Sequence, residues 1–200
     1  MVARVAGGAA KAEPDTNLAL EPRDTLTWSS APVAAAGTSG SLQPDSLWLA
    51  GAMVRAAQMA GGLEFLLSQS VKYVSERKQF GKPLSTFQVI QQNLALLAGH
   101  TAAAGMAAQA AFHAMEKGDA SFEIACAKIR VGEAAGLGAG IAHQAHGAIG
   151  FTYEHTLHFV TRRLWSWRAE FGAEGYWAER LGREVAARGA QALWPMLTSR

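Results

Sequence analysis

Arginine, glutamine and phenylalanine gather around one turn of the sequence, in the stretch SERKQFGKPLSTFQ at residues 75–88. Arg77 carries a planar guanidinium group whose donors match phosphate or carboxylate oxygens. Gln79 and Gln88 offer amide groups for hydrogen bonding, and Phe80 offers a ring face to another aromatic group. A turn carrying these side chains at a helix junction suits a nucleotide. The alternative interpretation is a solvated helix end with a basic last turn, which needs no ligand.

Glycines mark a second candidate binding segment, HQAHGAIGFTYEH, at residues 143–155. Gln144, Gly147 and Gly150 lie where a helix is predicted to end, and glycines at such a place allow backbone N–H groups to approach an anion. The spacing matches neither the G-x-G-x-x-G dinucleotide pattern nor a phosphate-binding P-loop. A glycine-rich joint between two helices is therefore the competing interpretation.

Histidines in the same segment have spacings that metal ligands use. His143 and His146 are three residues apart, as are His155 and His158, and Glu154 adds a carboxylate. The sequence lacks an HExxH motif and a paired ExxH motif, and the two pairs flank a joint that is predicted to be flexible. We therefore predict capping or hydrogen-bonding histidines and no metal site.

One carboxylate follows the tryptophan-rich part of the chain, RRLWSWRAEFGAEGYW at residues 162–177. Glu170 lies within a few residues of Trp165, Trp167 and Phe171. A carboxylate in an aromatic setting is poorly solvated and accepts a proton readily, so Glu170 is the candidate general base. A surface salt bridge is the alternative for this side chain.

Helical periodicity begins near Asp45, because apolar residues recur from there at three- and four-residue spacing. Ser85 and Gln88 are predicted to form a capping box at the start of the second helix. Long helices with short joints predict an all-α, up-and-down bundle of four to five helices. The predicted helices cover residues 46–77, 85–117, 121–147, 156–171 and 174–194.

Residues 1–44 differ in composition from the rest of the chain. They hold four of the six prolines, many small residues and only one short extended candidate, TLTWSSAPVAA. Segments of this kind bury too little apolar surface to form a core of their own. We predict an irregular N-terminal segment over residues 1–44, disordered or loosely attached, and a helical bundle over residues 45–200.

Composition argues against several functional classes. Hydrophobic residues make up 50% of the chain and charged residues 17%, and the formal net charge of +2 is too small to indicate nucleic-acid binding. No apolar run is long enough for a signal peptide or a membrane span. The single cysteine, Cys126, cannot form an internal disulfide and fits a reducing compartment. We therefore predict a soluble cytoplasmic protein.

Both binding segments resemble motifs of one enzyme family. The first is similar to the signature A-x-x-x-G…Y-x-x-x-R-x-Q-F-G-x-P-[LI]-x-x-[FH]-Q in the C-terminal domain of acyl-CoA dehydrogenases, and the second to that family's A-K…Q-x-x-G-G-x-G-[YF]-x-x-E pattern. The resemblance covers about residues 45–185. The matching residues are Tyr73, Arg77, Gln79, Phe80, Gly81, Pro83, Phe87 and Gln88 in the first motif, and Lys128, Gln144, Gly147, Gly150, Phe151 and Glu154 in the second.

The resemblance implies a helical bundle that binds FAD across a subunit interface. In that family the R-x-Q-F residues contact a flavin nucleotide held mainly by the neighbouring subunit, and the Q-x-x-G-G residues contact it near the pyrophosphate and adenosine. The implied reaction is FAD-dependent α,β-dehydrogenation of an acyl-CoA thioester. The implied cofactor-binding residues are Arg77, Gln79, Phe80, Gln88, Gln144, Gly147 and Ala148.

The resemblance also implies partners. These are an acyl-CoA substrate, a second copy of the chain or an unlike acyl-CoA dehydrogenase subunit, and an electron-transfer flavoprotein. The chain is expected to act only as part of such an oligomer. The alternative is a catalytically silent FAD-binding or structural subunit that has no base of its own.

Three departures from the family pattern bear on the reaction. Ala148 replaces the second motif glycine. Phe171 stands at the aligned position of the catalytic carboxylate, directly after Glu170, and the other position at which family members place a base falls near Gly51. The resemblance does not extend to the N-terminal helical domain and middle β-domain of the family, which we expect to be absent apart from residues 23–36 as a candidate remnant of the last β-strand. Glu170 remains the candidate base, and a chain that supports a partner's active site is the competing prediction.

Overall fold

The computed structural model describes residues 2–38, 40 and 44–199 of the 200-residue chain. The chain forms two compact units, Met1–Trp48 and Leu49–Arg200. Both candidate binding segments and Glu170 belong to the second unit, so the site has to be understood from the helices of that unit.

Four short antiparallel strands organise the N-terminal unit. β1 (Val2–Val5) pairs with β4 (Val33–Gly37), and β2 (Lys11–Glu13) pairs with β3 (Thr25–Thr27). All but one of the strand residues are exposed, so these strands have no buried face of the kind that hydrophobic alternation reveals. The extended candidate TLTWSSAPVAA contains β3 and the start of β4. The segment predicted to be irregular therefore contains more regular structure than its sequence pattern indicates.

Helices form nearly all of the chain from Ser46 onward and carry its core. No helix in the described part of the chain combines the length and the apolar character that crossing a bilayer requires. Five helices of 13 residues or more in the described residues confirm the predicted all-α bundle. They are α1 (Ser46–Glu76), α2 (Gln88–Lys117), α3 (Ser121–His146), α4 (Leu157–Ala169) and α5 (Glu174–Arg188), followed by a six-residue helix α6 (Leu193–Thr198).

α3 is the central helix of the bundle. Fifteen of its 26 residues are buried, and most of these are alanine or glycine. Small side chains allow neighbouring helices to approach closely, since a Cβ atom built at Gly138 would lie 2.6 Å from Leu63 Cδ2 and 3.0 Å from Leu97 Cδ1. The helices α1, α2 and α3 therefore meet at Gly138.

The joint between α1 and α2 differs from the sequence prediction. A short β-hairpin and a 3-10 turn (Leu84–Thr86) connect the two helices, and α2 begins after Phe87 with no side chain hydrogen-bonded at its N-cap. The predicted capping box is therefore wrong. Ser85 lies inside the 3-10 turn, where its carbonyl oxygen accepts a hydrogen bond from Gln91 Nε2 (2.8 Å).

Candidate cofactor-binding site

A tight hairpin after α1 presents an aromatic ring to solvent. β5 (Lys78–Gln79) and β6 (Lys82–Pro83) pair antiparallel and are joined by Phe80 and Gly81 alone. Both central residues have positive φ, 52° at Phe80 and 78° at Gly81, as type I′ hairpin turns require. This φ is strained for a bulky residue, and strain of this kind concentrates at functional sites. The ring is nevertheless 90% exposed, so the strain is not offset by burial.

Backbone hydrogen bonds tie the base of the hairpin to α1. The Arg77 N–H donates to the Tyr73 carbonyl oxygen (2.8 Å), and the Leu84 N–H donates to the Arg77 carbonyl oxygen (2.9 Å). The side chains of Arg77 and Gln79 are exposed. A fixed backbone that carries exposed donors is preorganised, because a ligand would not have to order the loop.

Aromatic contacts tie the tip of the hairpin to the start of α2. The Phe80 ring lies edge-on to the Phe87 ring, with 6.1 Å between the centroids. Lys82 Nζ lies 4.4 Å from the centroid of the Phe87 ring, within cation–π range. Gln88 is the first residue of α2; it directly follows Phe87 in sequence, and its side chain is exposed. The first candidate segment is thus one rigid corner rather than a loose loop.

The second candidate segment starts where α3 ends. Gly147 follows the last residue of α3 with φ +65°, a conformation that glycine adopts without strain. A Cβ atom built at Gly147 would meet nothing within 4 Å, and Gln144 and Ala148 are also exposed. The backbone at this helix end is therefore open to a ligand.

Gly150 has a different role from the one predicted. It is buried, and a Cβ atom built on it would lie 2.9 Å from Leu157 Cδ2 and 3.2 Å from His143 Nδ1. The absence of a side chain at Gly150 allows the joint to pack against α4. Gly150 serves this packing and does not open the backbone to an anion.

The two segments lie at the same end of the bundle. The Tyr73 ring, one turn before Arg77, stacks on the His146 ring with 4.4 Å between the centroids. The Tyr73 hydroxyl also donates to the His146 carbonyl oxygen (3.3 Å), directly before Gly147. Sequence reasoning missed this contact, because the two residues are 73 positions apart and no local pattern links them.

The exposed groups at this end fit a dinucleotide such as FAD. Arg77 supplies a permanent positive charge for a phosphate, Phe80 supplies a ring for stacking, and Gly147 supplies an open backbone. Gln79, Gln88 and Gln144 add amide groups. This donor set can bind and orient a ligand, but none of its members is a titratable group suited to proton transfer near neutral pH.

Glu170 lies in an ion pair rather than in the expected aromatic setting. Arg55 Nε donates to Glu170 Oε2 (2.6 Å), and both side chains are about one-fifth exposed. The Arg55 guanidinium also lies 5.2 Å from the centroid of the Trp167 ring. The carboxylate is therefore neutralised by a fixed cation, and the nearby tryptophan contacts that cation. The alternative for Glu170 was a surface salt bridge; a salt bridge is present, but it is mostly buried, and it joins the residue that follows α4 to α1.

A buried lysine closes the end of α4. Lys128 on α3 is 1% exposed, and its Nζ donates to the carbonyl oxygens of Trp167 (3.4 Å), Arg168 (3.3 Å) and Glu170 (2.8 Å). Carbonyl groups at the end of a helix are beyond the reach of the regular helical hydrogen bonds, so the ammonium group serves as a cap for the end of α4. Desolvation by burial lowers the pKa of Lys128 to about 8, although the nearby Glu174 and Glu170 raise it. Sequence reasoning found Lys128 only as a motif match.

The turn after α4 places Phe171 against Gly51. Phe171 has φ +56°, and its carbonyl oxygen accepts a hydrogen bond from Trp177 Nε1 (3.0 Å). A Cβ atom built at Gly51 would lie 2.3–2.5 Å from three atoms of the Phe171 ring. The two positions that the resemblance relates to a catalytic base are therefore neighbours in space, and an aromatic ring fills the space between them.

We expect Gly51→Ala to lower the free energy of unfolding by about 1–3 kcal/mol, because overpacking against a fixed ring costs that much. Gly61→Ala on the same helix is the matched control. A Cβ atom there would meet nothing within 4 Å, so the better helix propensity of alanine should stabilise by up to about 1 kcal/mol. Adding Phe171→Ala to Gly51→Ala should remove the penalty from the overlap. Denaturant unfolding of the four proteins tests this, and equal effects of the two glycine substitutions would contradict the contact.

The four histidines of the joint pack against aromatic rings and backbone groups. Nδ1 of His146 and Nδ1 of His158 donate to backbone carbonyl oxygens (2.8 and 2.9 Å). Nδ1 of His143, Nε2 of His146 and Nε2 of His158 are buried without a hydrogen-bond partner among the described residues. Burial lowers the pKa of His143 and of His146. Within residues 2–38, 40 and 44–199 no group of three or more His, Cys, Asp or Glu side chains could hold a metal ion.

Comparison with known proteins gives one consistent result. Residues 49–189 match the sequence model of the acyl-CoA dehydrogenase C-terminal domain. The chain is 34% identical over 112 residues to acyl-CoA dehydrogenase IpdE2 of Mycobacterium tuberculosis, covering 56% of this chain and 34% of that protein. It is 32% identical over 166 residues to acyl-CoA dehydrogenase FadE34 of the same organism, covering 80% of this chain and 22% of that protein.

A solved structure shares the fold. The crystal structure of the ChsE4–ChsE5 complex from Mycobacterium tuberculosis superposes with a TM-score of 0.77 at 23% identity, over 89% of this chain and 49% of that chain. The chain thus spans half or less of the length of these relatives. Because the family match covers residues 49–189 of the 200, the chain belongs to the acyl-CoA dehydrogenase family through its C-terminal helical domain.

Proposed function

We propose that this chain binds FAD at the end of its bundle and serves in an acyl-CoA dehydrogenase assembly. The observation that carries the proposal is the hairpin, whose strained turn exposes the Phe80 ring beside Arg77. An exposed ring on a rigid corner is suited to contact a ligand or a second chain. The proposed substrate class of the assembly is an acyl-CoA thioester.

The proposed cofactor residues have separate roles. Arg77 and the open backbone at Gly147 would bind the phosphates of FAD, since a guanidinium group and backbone N–H groups suit phosphate oxygens. Phe80 would stack on a ring of the dinucleotide, and Gln79, Gln88, Gln144 and Ala148 would border it. When bound, FAD supplies the hydride acceptor for α,β-dehydrogenation. Members of this family are generally flavoproteins.

We infer that the chain contributes no catalytic base to this reaction. A base must have a proton-accepting group within reach of the substrate. Phe171 and Gly51 carry none, and the Glu170 carboxylate is paired with Arg55. This favours the second function considered from the sequence, in which a silent FAD-binding subunit completes the active site of another chain.

The proposed partner is a second copy of this chain or an unlike acyl-CoA dehydrogenase subunit. The corner at residues 77–88 projects an apolar ring out of the bundle, so part of the binding site must come from elsewhere. The related ChsE4–ChsE5 structure is a complex of two proteins, which supports the unlike subunit. An electron-transfer flavoprotein is the proposed electron acceptor, and a cytoplasmic location accords with the single Cys126.

Flavin retention tests the proposal. We expect the full chain, purified after co-expression with an acyl-CoA dehydrogenase subunit, to carry FAD, seen as flavin absorbance that co-elutes with both chains in size-exclusion chromatography. The control is each chain expressed alone. If the folded chain stays colourless under both conditions and does not co-elute, it is a structural module without the proposed function.

A further inference from the structure

Tyr73 and His146 form a contact that joins the two candidate binding segments. Their rings stack with 4.4 Å between the centroids and 23° between the planes. The Tyr73 hydroxyl donates to the His146 carbonyl oxygen over 3.3 Å. His146 is 4% exposed and Tyr73 is half-buried. The contact therefore lies behind the exposed site rather than within it.

Tyr73 and His146 each lie close in sequence to one of the two binding segments. The Tyr73 carbonyl oxygen accepts the hydrogen bond of the Arg77 N–H (2.8 Å), which fixes the start of the hairpin. His146 is the last residue of α3, and the peptide whose oxygen accepts the Tyr73 hydroxyl leads directly into Gly147. One side chain thus sets the position of both backbones.

His146 is itself held on two further sides. Its Nδ1 donates to the Ala142 carbonyl oxygen (2.8 Å), so the ring is fixed against its own helix. The His155 ring packs edge-on to the His146 ring, with 4.8 Å between the centroids. It also lies 6.2 Å from the Tyr73 ring. A three-ring cluster from α1, α3 and the joint before α4 therefore has little freedom to shift.

We propose that Tyr73 and His146 are a positioning pair, which holds the hairpin and the end of α3 in register so that both contact one ligand. Neither side chain needs to touch that ligand. The identification of the ligand as FAD rests on the proposed function, whereas the coupling of the two segments rests on the contact alone.

The pair is suited to a neutral imidazole. His146 Nε2 is buried and has no hydrogen-bond partner among the described residues. Burial lowers the pKa of His146 below its usual 6.5, and the neighbouring His155 lowers it further, while the hydrogen bond to Ala142 raises it. The titratable groups that face it are Tyr73 from α1, His143 from α3 and His155 from the joint. The neutral His146 ring therefore contributes its full stabilisation of the folded chain above pH 6.5, and this contribution is lost as the pH falls through the lowered pKa of His146.

Amide hydrogen exchange of the full chain tests the coupling. Tyr73→Phe removes only the hydroxyl, and Tyr73→Leu also removes the ring. A neutral hydrogen bond and a stacked ring pair each make a modest contribution to stability. We therefore expect exchange of residues 77–84 and of residues 147–152 to rise together, by roughly 2- to 10-fold for Tyr73→Phe and further for Tyr73→Leu. Tyr176→Phe on α5 is the matched control and should change neither segment.

The pH profile separates positioning from simple packing. In the wild type, protection of residues 147–152 should fall as the pH decreases below 6.5, and His146→Phe should flatten that profile because it keeps a stacking ring without a titrating nitrogen. Exchange that rises in one segment only, or in neither, overturns the pair whatever the flavin result. If both segments respond together but the wild type never retains FAD in the assembly, the pair stands and the proposed function fails.

Discussion

Phe80→Gly combined with Arg77→Ala should weaken FAD binding by on the order of 100-fold or more while leaving the bundle folded. Stacking of a base on an aromatic ring contributes about 1–3 kcal/mol, and a hydrogen bond to a charged group about 1.5–3 kcal/mol. Every 1.4 kcal/mol is a factor of ten in affinity. The two side chains are exposed, so their loss removes little packing.

The effect on stability distinguishes this site from a structural turn. Phe80 has φ +52°, which costs an ordinary residue about 1–2 kcal/mol and costs glycine nothing. The greater chain entropy of unfolded glycine offsets about 0.5–1 kcal/mol of that gain. Phe80→Gly alone should therefore leave the free energy of unfolding unchanged or slightly raised, although it should weaken the binding of FAD.

Flavin titration of the assembled complex measures the affinity, and denaturant unfolding of the chain measures the stability. Trp194→Ala and Arg183→Ala are the matched controls, because they remove an exposed aromatic ring and an exposed arginine from α6 and α5. If the control substitutions weaken FAD binding as much as the hairpin variant does, the effect is general and the hairpin does not contact FAD. If Phe80→Gly unfolds the chain, the ring is structural.

The helices were predictable from sequence because their apolar residues repeat at short range. α1 and α2 each bury a face whose apolar spacing is visible in the sequence, whereas α3 is buried mainly through alanine and glycine. Among the N-terminal strands, β3 and the start of β4 lie in the extended candidate TLTWSSAPVAA, whereas β1 and β2 were not predicted, since nearly all their residues are exposed. The capping box predicted at Ser85 was wrong for another reason, because the hairpin and the 3-10 turn occupy the residues that would have formed the cap.

The candidate site was predictable in its parts but not in its geometry. The resemblance named Arg77, Phe80 and Gly147 as ligand contacts; all three are exposed, and their role stays a prediction. The contacts that decide the setting of the site join residues far apart in sequence. Arg55 and Glu170 are 115 positions apart, and only the packing of α1 against the end of α4 brings them together. No periodicity or spacing can reveal such a pair.

Lys128 shows the same limit, because a lysine in a helix is usually assigned to the surface. It is instead 1% exposed and caps the carbonyls at the end of α4. We expect Lys128→Met to lower the free energy of unfolding by about 2 kcal/mol at pH 7. The reason is that each buried carbonyl oxygen left without a donor costs about 1–3 kcal/mol, which is partly offset because methionine places no charge in the buried site.

The pH dependence of that difference is the sharper result. The pKa of Lys128 is about 8 in the folded chain, against 10.5 for an ordinary lysine. Between these values the unfolded chain binds more protons than the folded chain, so wild-type stability rises with pH, by at most about 1.4 kcal/mol per pH unit from this group. The deficit of Lys128→Met relative to wild type should therefore grow from pH 7 to pH 10.

Chemical unfolding at pH 7, 8, 9 and 10 measures the deficit, with Lys72→Met as the control that removes an exposed lysine from α1. Subtracting the control removes the common effect of charge on the stability of the whole chain. A deficit that stays constant across this range would mean that Lys128 titrates alike in the folded and unfolded chains. The Lys128 side chain could then not be a desolvated ammonium group that caps the carbonyls at the end of α4. Nor could such a group be what positions the following turn, in which Phe171 packs against Gly51.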